Sequence, residues 1–198
     1  MLRLGVAGVW LLVGPAAWAG AVVGPRPALV PSHPVTVDYI LTTAEGGTLD
    51  VHVGILAGGM RLRVTSPELP TWLLVDRAAG VANVVLPVLR AYSRIDIHRQ
   101  DPAVTMLQVA SFTRRGQARI AGRECTQWQA VAPSGSASGC VTADGVILQG
   151  ELTSDRRGAL ARVIATRVQD GAPPPGDFDV PEGFSESPFR LDPNGFGR

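Results

Sequence analysis

Three consecutive stretches near the start of the chain alternate between apolar and polar residues with a period of two. They read VTVDYILTT, TLDVHVGIL and MRLRVT, and they begin at Val35, Thr48 and Met60. The pairs Gly46-Gly47 and Gly58-Gly59 separate them. Glycine pairs between alternating runs are typical of turns between antiparallel strands that have one apolar and one solvated side. The ordered part of the chain is therefore predicted to begin as an antiparallel meander.

Further strand patterns follow, less regular than the first three. The run from Trp72 to Val75 is apolar on both sides, which predicts a central strand or one covered on both faces. The predicted turns between the later strands lie at Ala79-Gly80, Gly116, Ala121-Gly122, a flexible Ser/Gly loop before Cys140, Asp144-Gly145 and Asp155 to Gly158.

A single stretch, DPAVTMLQVA, has helical spacing. Asp101 can cap the first turn, and Pro102 suits the first helical position. The apolar residues at positions i, i+3, i+4 and i+7 are Ala103, Met106, Leu107 and Ala110. The cap and the proline favour a helix from Pro102 to Ala110, and the alternative is a strand with Thr105, Leu107 and Val109 on one face.

A long antiparallel sheet with one apolar face must curl, pack on a second sheet or be covered, and one short helix covers only part of such a face. We predict a mainly β fold: a single strongly curved antiparallel sheet, a half-barrel of about ten strands, with one short amphipathic helix as a partial lid. The domain is predicted at 35–184, between an extended arm at 20–34 and a flexible tail at 185–198. Phe178, Val180 and Phe184 are the predicted anchors of the Pro/Gly-rich C-terminal stretch.

The first 19 residues have the features of a secretory signal peptide. Arg3 precedes ten apolar or small residues, Gly14-Pro15 interrupts them, and Ala17-Trp18-Ala19 forms an A-x-A cleavage site, with Ala19-Gly20-Ala21 as a second frame. This apolar core is shorter than the roughly 20 residues of a membrane-spanning helix, and no other segment is long and apolar enough to span a bilayer. No cysteine follows the core to accept a lipid. The sequence predicts a soluble protein of the periplasm, exported by a Gram-negative bacterium.

Cys125 and Cys140 are the only cysteines, and the stretch between them is rich in Pro, Ser, Gly and Ala. In an oxidising compartment such a pair is most simply a disulfide. If the two residues sit opposite each other on a hairpin whose turn lies near Pro133 to Gly135, their Cα separation would suit the bond. We predict a structural disulfide that pins this hairpin.

Composition and spacing argue against several functions. Once Arg3 is removed, 17 basic and 17 acidic residues remain, so the chain lacks the basic surface that nucleic acid binding requires. His33, His52 and His98 lack metal-ligand spacing. The motif GSASG has Ala137 where a G-x-S-x-G nucleophile elbow has serine. We predict no catalytic residue, no metal site and no cofactor, and thus no enzyme.

Three motifs in the second half of the chain are RIAGRECTQWQAV, with Ala121-Gly122 before Cys125 and Trp128, CVTADGVILQGEL, and FDVPEGF, with Phe178 to Pro181. Together with the leader and the opening hairpins they resemble the periplasmic lipoprotein-carrier superfamily (LolA/LolB-like), closest to its bacterial branch of small exported proteins of unknown function. The resemblance spans about Val35 to Phe184. It implies an incurved half-barrel whose concave apolar face, partly lidded by helix, accepts acyl chains in the carriers.

Two functions are expected from these observations. The first is a soluble periplasmic binding protein that holds an acyl chain, a lipid or a lipoprotein anchor on the concave face. The alternative is an envelope interaction or structural module that docks a protein partner and holds no small ligand. Met60, Met106, Trp72 and Trp128 are interpreted as core residues, of types that a lipid cavity also uses. The candidate ligand-binding residues on the apolar face are Val37, Tyr39, Val51, Val53, Leu62, Val64, Met106 and Leu107.

Overall fold

The computed structural model describes residues 25–97, 110–155, 158–171 and 173–187. The strands in this part of the chain are β1 (Val35–Thr43), β2 (Thr48–Ile55), β3 (Arg61–Thr65), β4 (Trp72–Asp76), β5 (Val81–Leu86), β6 (Ala91–Asp96), β7 (Ser111–Ile120), β8 (Arg123–Ala132), β9 (Gly135–Val141), β10 (Ile147–Ser154), β11 (Gly158–Asp170) and β12 (Ser185–Glu186). Short 3-10 turns occupy Ala57–Gly59, Pro87–Leu89 and Pro175–Phe178.

All twelve strands belong to one open, curved sheet, in the order β12-β6-β5-β4-β3-β2-β1-β11-β10-β9-β8-β7. Neighbouring strands are antiparallel except β12, which runs parallel to β6. The predicted fold class, a mainly β chain built on a single curved sheet, is confirmed, with twelve strands in place of about ten. The strands β7 and β12 form the two edges of the described sheet.

Cross-strand register defines two faces of the sheet, because residues directly opposite each other on neighbouring strands share a face. Val37 lies opposite Val53, and Val53 lies opposite Val64. We call the face with these valines the inner face. Asp38 lies opposite His52 on the other side, the outer face, where His52 Nδ1 is 2.7 Å from Asp38 Oδ1. The alternation predicted from the sequence thus separates an apolar side from a polar side.

Two segments predicted as turn or loop are strand, and both predictions are wrong. Gly116 lies inside β7, at a shift of register between Arg114 and Gly116. Only Pro133 and Ser134 separate β8 from β9, so the predicted flexible loop before Cys140 is a hairpin turn followed by a strand. Small residues have weak strand propensity, but β8 and β10 hydrogen-bond β9 from both sides and fix it in the sheet.

The structure brings the two cysteines together as predicted. Cys125 on β8 and Cys140 on β9 form a disulfide with a Cα–Cα separation of 5.4 Å. Both residues are buried in a core cluster together with Val35, Val37, Val146, Leu148 and Ala165. The bridge therefore lies inside the core of the domain and crosslinks the β8–β9 hairpin there.

The segment after β11 packs on the outer face. Phe178 is buried, at 3% exposure, and Pro173 and Phe178 lie against the backbone of Gly54, at 3.0 and 3.5 Å from the position that a Cβ would take. Arg61 Nη2 donates a 2.6 Å hydrogen bond to the carbonyl oxygen of Phe178 and lies 2.5 Å from Asp179 Oδ1. The prediction that Phe178 anchors this stretch is therefore correct.

The sheet also continues past the predicted end of the domain at residue 184. Ser185 and Glu186 pair with Ala91 and Tyr92, and the Ser187 amide donates to the Tyr92 carbonyl at 2.7 Å. The first residues of the predicted tail thus form an edge strand.

In the described residues, 25–34 precede β1 and belong to no strand. The C-terminal end of this arm is fixed to two turns: the Ser32 amide donates to the Asp144 carbonyl, and the Gly58 amide donates to the Pro31 carbonyl, each at 3.0 Å. The arm therefore crosses the sheet as a separate layer without joining it as a strand.

Some predicted elements lie outside the described residues. They are the leader at 1–19, the helix from Pro102 up to Val109 with Met106 and Leu107, and the tail beyond Ser187. Ala110, the last residue of the predicted helix, is described and is buried. Within the described ranges, no helix has the length and apolar character needed to cross a membrane.

Candidate functional site

Two rows of inner-face residues cross the strands from β11 to β7, each residue lying opposite the next. The first row is Val163, Gly150, Gly139 and Trp128. The second row is Ala161, Leu152, Ala137, Ala130 and Phe112. Val163 also lies opposite Leu41 on β1, which joins these rows to the inner face of β1–β3. The inner face is therefore one continuous surface across both halves of the sheet.

A cavity of about 250 Å³ lies on these two rows. Pro27 and Leu29 of the arm contribute its remaining apolar cover, with Val141 and Ile147 at one end. The polar residues along its edge are Ser138, Gln149 and Glu151. They alternate along their strands with the inner-face residues Gly139, Gly150 and Leu152, so their side chains are on the outer face. The side chains that face the cavity are consequently apolar or absent.

A pair of glycines forms the floor of the cavity. Gly139 and Gly150 lie opposite each other, between Trp128 and Val163. Neither has the positive φ that favours glycine. A Cβ on Gly150 would lie 3.3 Å from Val163 Cγ2, and one on Gly139 would lie 3.0 Å from the Gln149 carbonyl oxygen.

Each glycine inside a strand destabilises the fold by about 0.5–1 kcal/mol relative to alanine, so two facing glycines weaken the sheet. Glycine in a strand often marks a site where a ligand or another backbone approaches closely. The space above Gly139 and Gly150 is the cavity itself. The pair therefore keeps open a channel in which bare backbone is flanked by Trp128 and Val163.

The arm borders the cavity, which is open to solvent. The Arg26 guanidinium carbon lies 5.4 Å from the centre of the Phe112 ring, within the range of a cation–π contact. Arg26 Nη2 also donates a 3.2 Å hydrogen bond to the carbonyl oxygen of Ala110. Pro27 and Leu29 follow directly and line the cavity.

The six described residues among those predicted to bind ligand lie outside this cavity. Val37, Tyr39, Val51, Val53, Leu62 and Val64 share the inner face of β1–β3, and none of the six lines the cavity. Val37 is fully buried in the core. The Tyr39 hydroxyl donates a 2.7 Å hydrogen bond to the Ile147 carbonyl, and burial raises the pKa of this phenol, so it stays neutral.

Sequence reasoning missed the glycine floor and its neighbours. The sequence interpretation places Trp128 in the core and Gly139 at the start of the strand that follows the Ser/Gly loop. One pattern in the sequence could have located the site. A tryptophan in QWQAV is followed, on the next two strands, by a glycine in SASGC and a glycine in LQGEL. That signal needs the strand register, which places the three residues in one row.

A polar cluster holds the arm near the start of β1. Asp170 Oδ1 accepts hydrogen bonds from Arg123 Nη2 at 2.9 Å and from His33 Nε2 at 3.0 Å, and Asp144 Oδ2 lies 3.5 Å from the same His33 nitrogen. The Arg123 guanidinium, and after it the His33 ring, lower the pKa of the Asp170 carboxyl. In the described part of the chain, no three His, Cys, Asp or Glu residues are arranged to hold a metal ion.

No protein-family model matches the chain, and no curated protein matches it in sequence. The fold is similar to that of several solved structures. An uncharacterized conserved protein from Thermus thermophilus superposes with a TM-score of 0.57 at 11% identity, over 79% of this chain and 90% of that one. A chain of the MucA/MucB complex from Pseudomonas aeruginosa superposes with a TM-score of 0.51 at 13% identity, over 74% of this chain and 55% of that one.

This chain therefore spans about half the length of the Pseudomonas protein that it matches. A lipoprotein-sorting protein domain from Vibrio parahaemolyticus matches more weakly, with a TM-score of 0.41 at 10% identity over 74% of this chain and 89% of that one, too low a score to argue from. At these identities the likeness shows the fold alone. The finer resemblance to lipoprotein carriers stays a prediction.

Proposed function

We propose that this protein is an exported binding protein that holds an acyl chain, from a lipid or a lipoprotein anchor, in the cavity on the inner face. The observation that carries the proposal is the floor of Gly139 and Gly150 between Trp128 and Val163, under an apolar cover. Protein interiors are close-packed, with few voids larger than a water molecule. If this space had no ligand to hold, we would expect side chains of the same strands to fill it.

The size of the cavity supports a narrow ligand. At about 250 Å³ it falls just below the range of roughly 300–1,000 Å³ that is usual for drug-sized ligands. Each buried methylene group contributes about 0.8 kcal/mol, so eight of them would supply about 6 kcal/mol, which corresponds to a dissociation constant of tens of micromolar. Apolar burial alone is therefore enough for reversible binding.

The predicted leader and the disulfide support this proposal. The predicted leader would direct the chain to the periplasm, and a buried disulfide is typical of an oxidising compartment. The proposal includes no chemical step and needs neither a metal ion nor a cofactor.

The first test asks whether the glycine floor is the binding site. In Gly150→Leu, the new side chain would fill the channel next to Val163. We expect this variant to lose binding of a fluorescent fatty acid by at least tenfold, and to lose any lipid that co-purifies with the parent in native mass spectrometry. Ser138→Leu is the control, because Ser138 is exposed on the outer face of the neighbouring strand.

Folding has to be checked first, since a leucine in a tight strand can destabilise the domain. Each variant must show a cooperative melt before its binding is compared. Probe binding by folded Gly150→Leu at the affinity of the parent would reject the cavity as the site, and a parent that binds neither probe nor lipid would reject the lipid proposal.

A second function, docking of an envelope protein, is favoured by the edge strand β7. This strand is ten residues long, mostly exposed, and pairs with β8 alone among the described strands. An extended segment of a partner could add to such an edge. Arg114, Arg115 and Arg119 weaken this reading, because charges on an edge strand discourage pairing.

The two functions can be separated by site-specific crosslinking in the periplasm. A photoreactive amino acid at Thr113, on the edge strand, should capture a partner if β7 docks one, whereas the same residue at Ser138 should not. Absence of a specific crosslink at Thr113, combined with co-purified lipid, would leave acyl-chain binding as the function.

A further inference from the structure

The first row of inner-face residues, from Val163 to Trp128, continues to an arginine on the edge strand. The residue opposite Trp128 on β7 is Arg114. Residues directly opposite each other share a face, so Arg114 lies on the inner face beside the tryptophan. Phe112, two positions earlier on β7, lies on the same face and ends the second row. The cavity therefore has two aromatic residues at its β7 end, and a cationic residue stands next to them at the edge of the sheet.

The guanidinium of Arg114 is not engaged, unlike those of the other arginines on β7. Arg115 donates hydrogen bonds from Nε and Nη2 to Gln129 Oε1, on the outer face. Arg119 donates from Nε to the carbonyl oxygen of Gly122 at 3.2 Å. Arg114 is exposed, and it forms no hydrogen bond or ion pair with the part of the chain that the structure describes. Its five N–H donors are therefore available to a ligand.

In the described ranges, no carboxylate neutralises this charge at the cavity. Glu151, along the edge of the cavity, has its side chain on the outer face. The acidic residue of β8, Glu124, is four positions from Trp128, a separation of about 13 Å along a strand. Arg26, over the Phe112 ring, adds a second positive charge at the same end, although its guanidinium is already engaged in a hydrogen bond and a further interaction. An anion at the β7 end would therefore meet a positive potential.

We propose that the ligand of this cavity is an acyl chain with an anionic head group, a carboxylate or a phosphate, and that Arg114 binds the head group while the chain lies over the glycine floor. The inference rests on the proposed binding function and narrows its ligand class. A guanidinium binds either anion through two parallel N–H···O hydrogen bonds. Because the cavity is open to solvent, the head group can stay hydrated at the edge strand while the chain is buried.

The test measures how three amphiphiles displace an uncharged fluorescent probe, N-phenyl-1-naphthylamine, from the full chain. The three carry the same twelve-carbon chain and are dodecanoate, dodecyl phosphate and the uncharged dodecanoyl monoglyceride, each below its micelle concentration. Arg114→Gln should raise the concentration of either anion needed for half displacement by about fivefold, and should change that of the monoglyceride less than twofold. Salt at about 0.5 M should shrink the difference, because it screens exposed charges.

Arg115→Gln is the matched control. It removes the same charge one residue along the chain, where the side chain is on the outer face, and should leave all three concentrations within twofold of the parent. Arg114→Lys keeps the charge but loses the paired geometry, so it should recover only part of the anion binding. All of these side chains are exposed, and each variant must show a cooperative melt before it is compared.

The outcomes separate the head-group site from the cavity. Anion displacement by folded Arg114→Gln at parent concentrations, or an equal loss in Arg115→Gln, overturns the head-group site even if Gly150→Leu still abolishes probe binding and so supports the cavity. Weakening of one anion alone supports the site and identifies its head group as carboxylate or phosphate. A parent that binds no probe rejects the binding function, and the head-group site with it.

Discussion

Asp170 shows how single side chains hold three parts of the chain together. Its carboxylate accepts hydrogen bonds from Arg123 at the start of β8 and from His33 in the arm, while Asp170 itself ends β11. Both donors favour the charged carboxylate, with Arg123 as the larger cause, so the pKa of Asp170 lies below its ordinary value.

This shift predicts a pH dependence of stability. The folded-state pKa of Asp170 is lower than its unfolded value, so the charged carboxylate stabilises the fold above about pH 4 and this contribution disappears as the pH falls through the folded pKa. Asp170→Asn should lower the melting temperature at pH 7 by no more than a few degrees, because the group is exposed, and should melt more nearly like the parent at pH 3.

The measurement is a series of thermal melts between pH 3 and pH 7. Asp155→Asn, at an exposed turn residue, provides the control and should follow the parent throughout. An Asp170→Asn variant whose deficit is as large at pH 3 as at pH 7 would contradict the electrostatic explanation.

Single residues of the core could be placed from the sequence, whereas those of the cavity could not. The inner-face positions of Val37, Val53 and Val64 follow from local alternation alone, because side chains in a strand alternate between faces. To locate the cavity, one must know how β8, β9 and β10 align with one another. The local sequence pattern does not contain this information. Gly139 and Gly150 both belong to predicted strands, and only the register shows that they lie opposite each other.

Among the elements, the C-terminal segment explains why part of the sheet is apolar on both faces. Leu74 lies opposite Arg63 on the outer face and is buried at 3% exposure, and the segment packs over this face. Arg63 stacks on the Trp72 ring at 5.5 Å and pairs with Asp177 at 3.0 Å. The run Trp72–Val75 is predicted to be central or covered on both faces, and a short 3-10 turn with its flanking prolines covers the outer face.

Removing the aromatic anchor of this segment should destabilise the whole domain. Phe178→Ala would leave a cavity over Gly54, and such changes cost about 3–5 kcal/mol. Leu89→Ala, which truncates a side chain that is 69% exposed, should cost far less. Denaturant unfolding measures both, and a Phe178→Ala cost under about 1 kcal/mol would mean that the segment is held mainly by the Arg61 and Arg63 contacts.

Elements were predictable where composition and pattern agreed. The strands β1 to β3 are rich in β-branched residues and carry apolar residues at every second position, and their bounds match the structure closely. The strand β9, GSASGCV, has only one β-branched residue, so composition indicated a loop, and only its pairing with β8 and β10 makes it a strand. Sequence located the hairpin of the disulfide correctly but misjudged how much of it is ordered.

At the scale of the whole molecule, the pairing of β1 with β11 joins the two halves of the sheet. Thr43 lies opposite Ala161, and Val35 lies opposite Asp170, so the two halves of the chain meet at the middle of the sheet. Consecutive strands usually pair as neighbours, which made the meanders predictable, but nothing local in the sequence indicates which distant strands close the sheet. This pairing gives the molecule one continuous inner face.

Export would connect the predicted leader with the disulfide. Expressed with its own leader in a Gram-negative host, the protein should be recovered from the periplasm beginning at Gly20 and without free thiols, because Cys125 and Cys140 are oxidised there.

Intact mass, N-terminal sequencing and alkylation without reductant measure this result. A matched variant with Ala17 and Ala19 replaced by arginine should stay unprocessed, since the cleavage site requires small residues. Recovery of the parent from the cytoplasm with its first 19 residues attached, or alkylation of both cysteines in periplasmic material, would contradict the prediction.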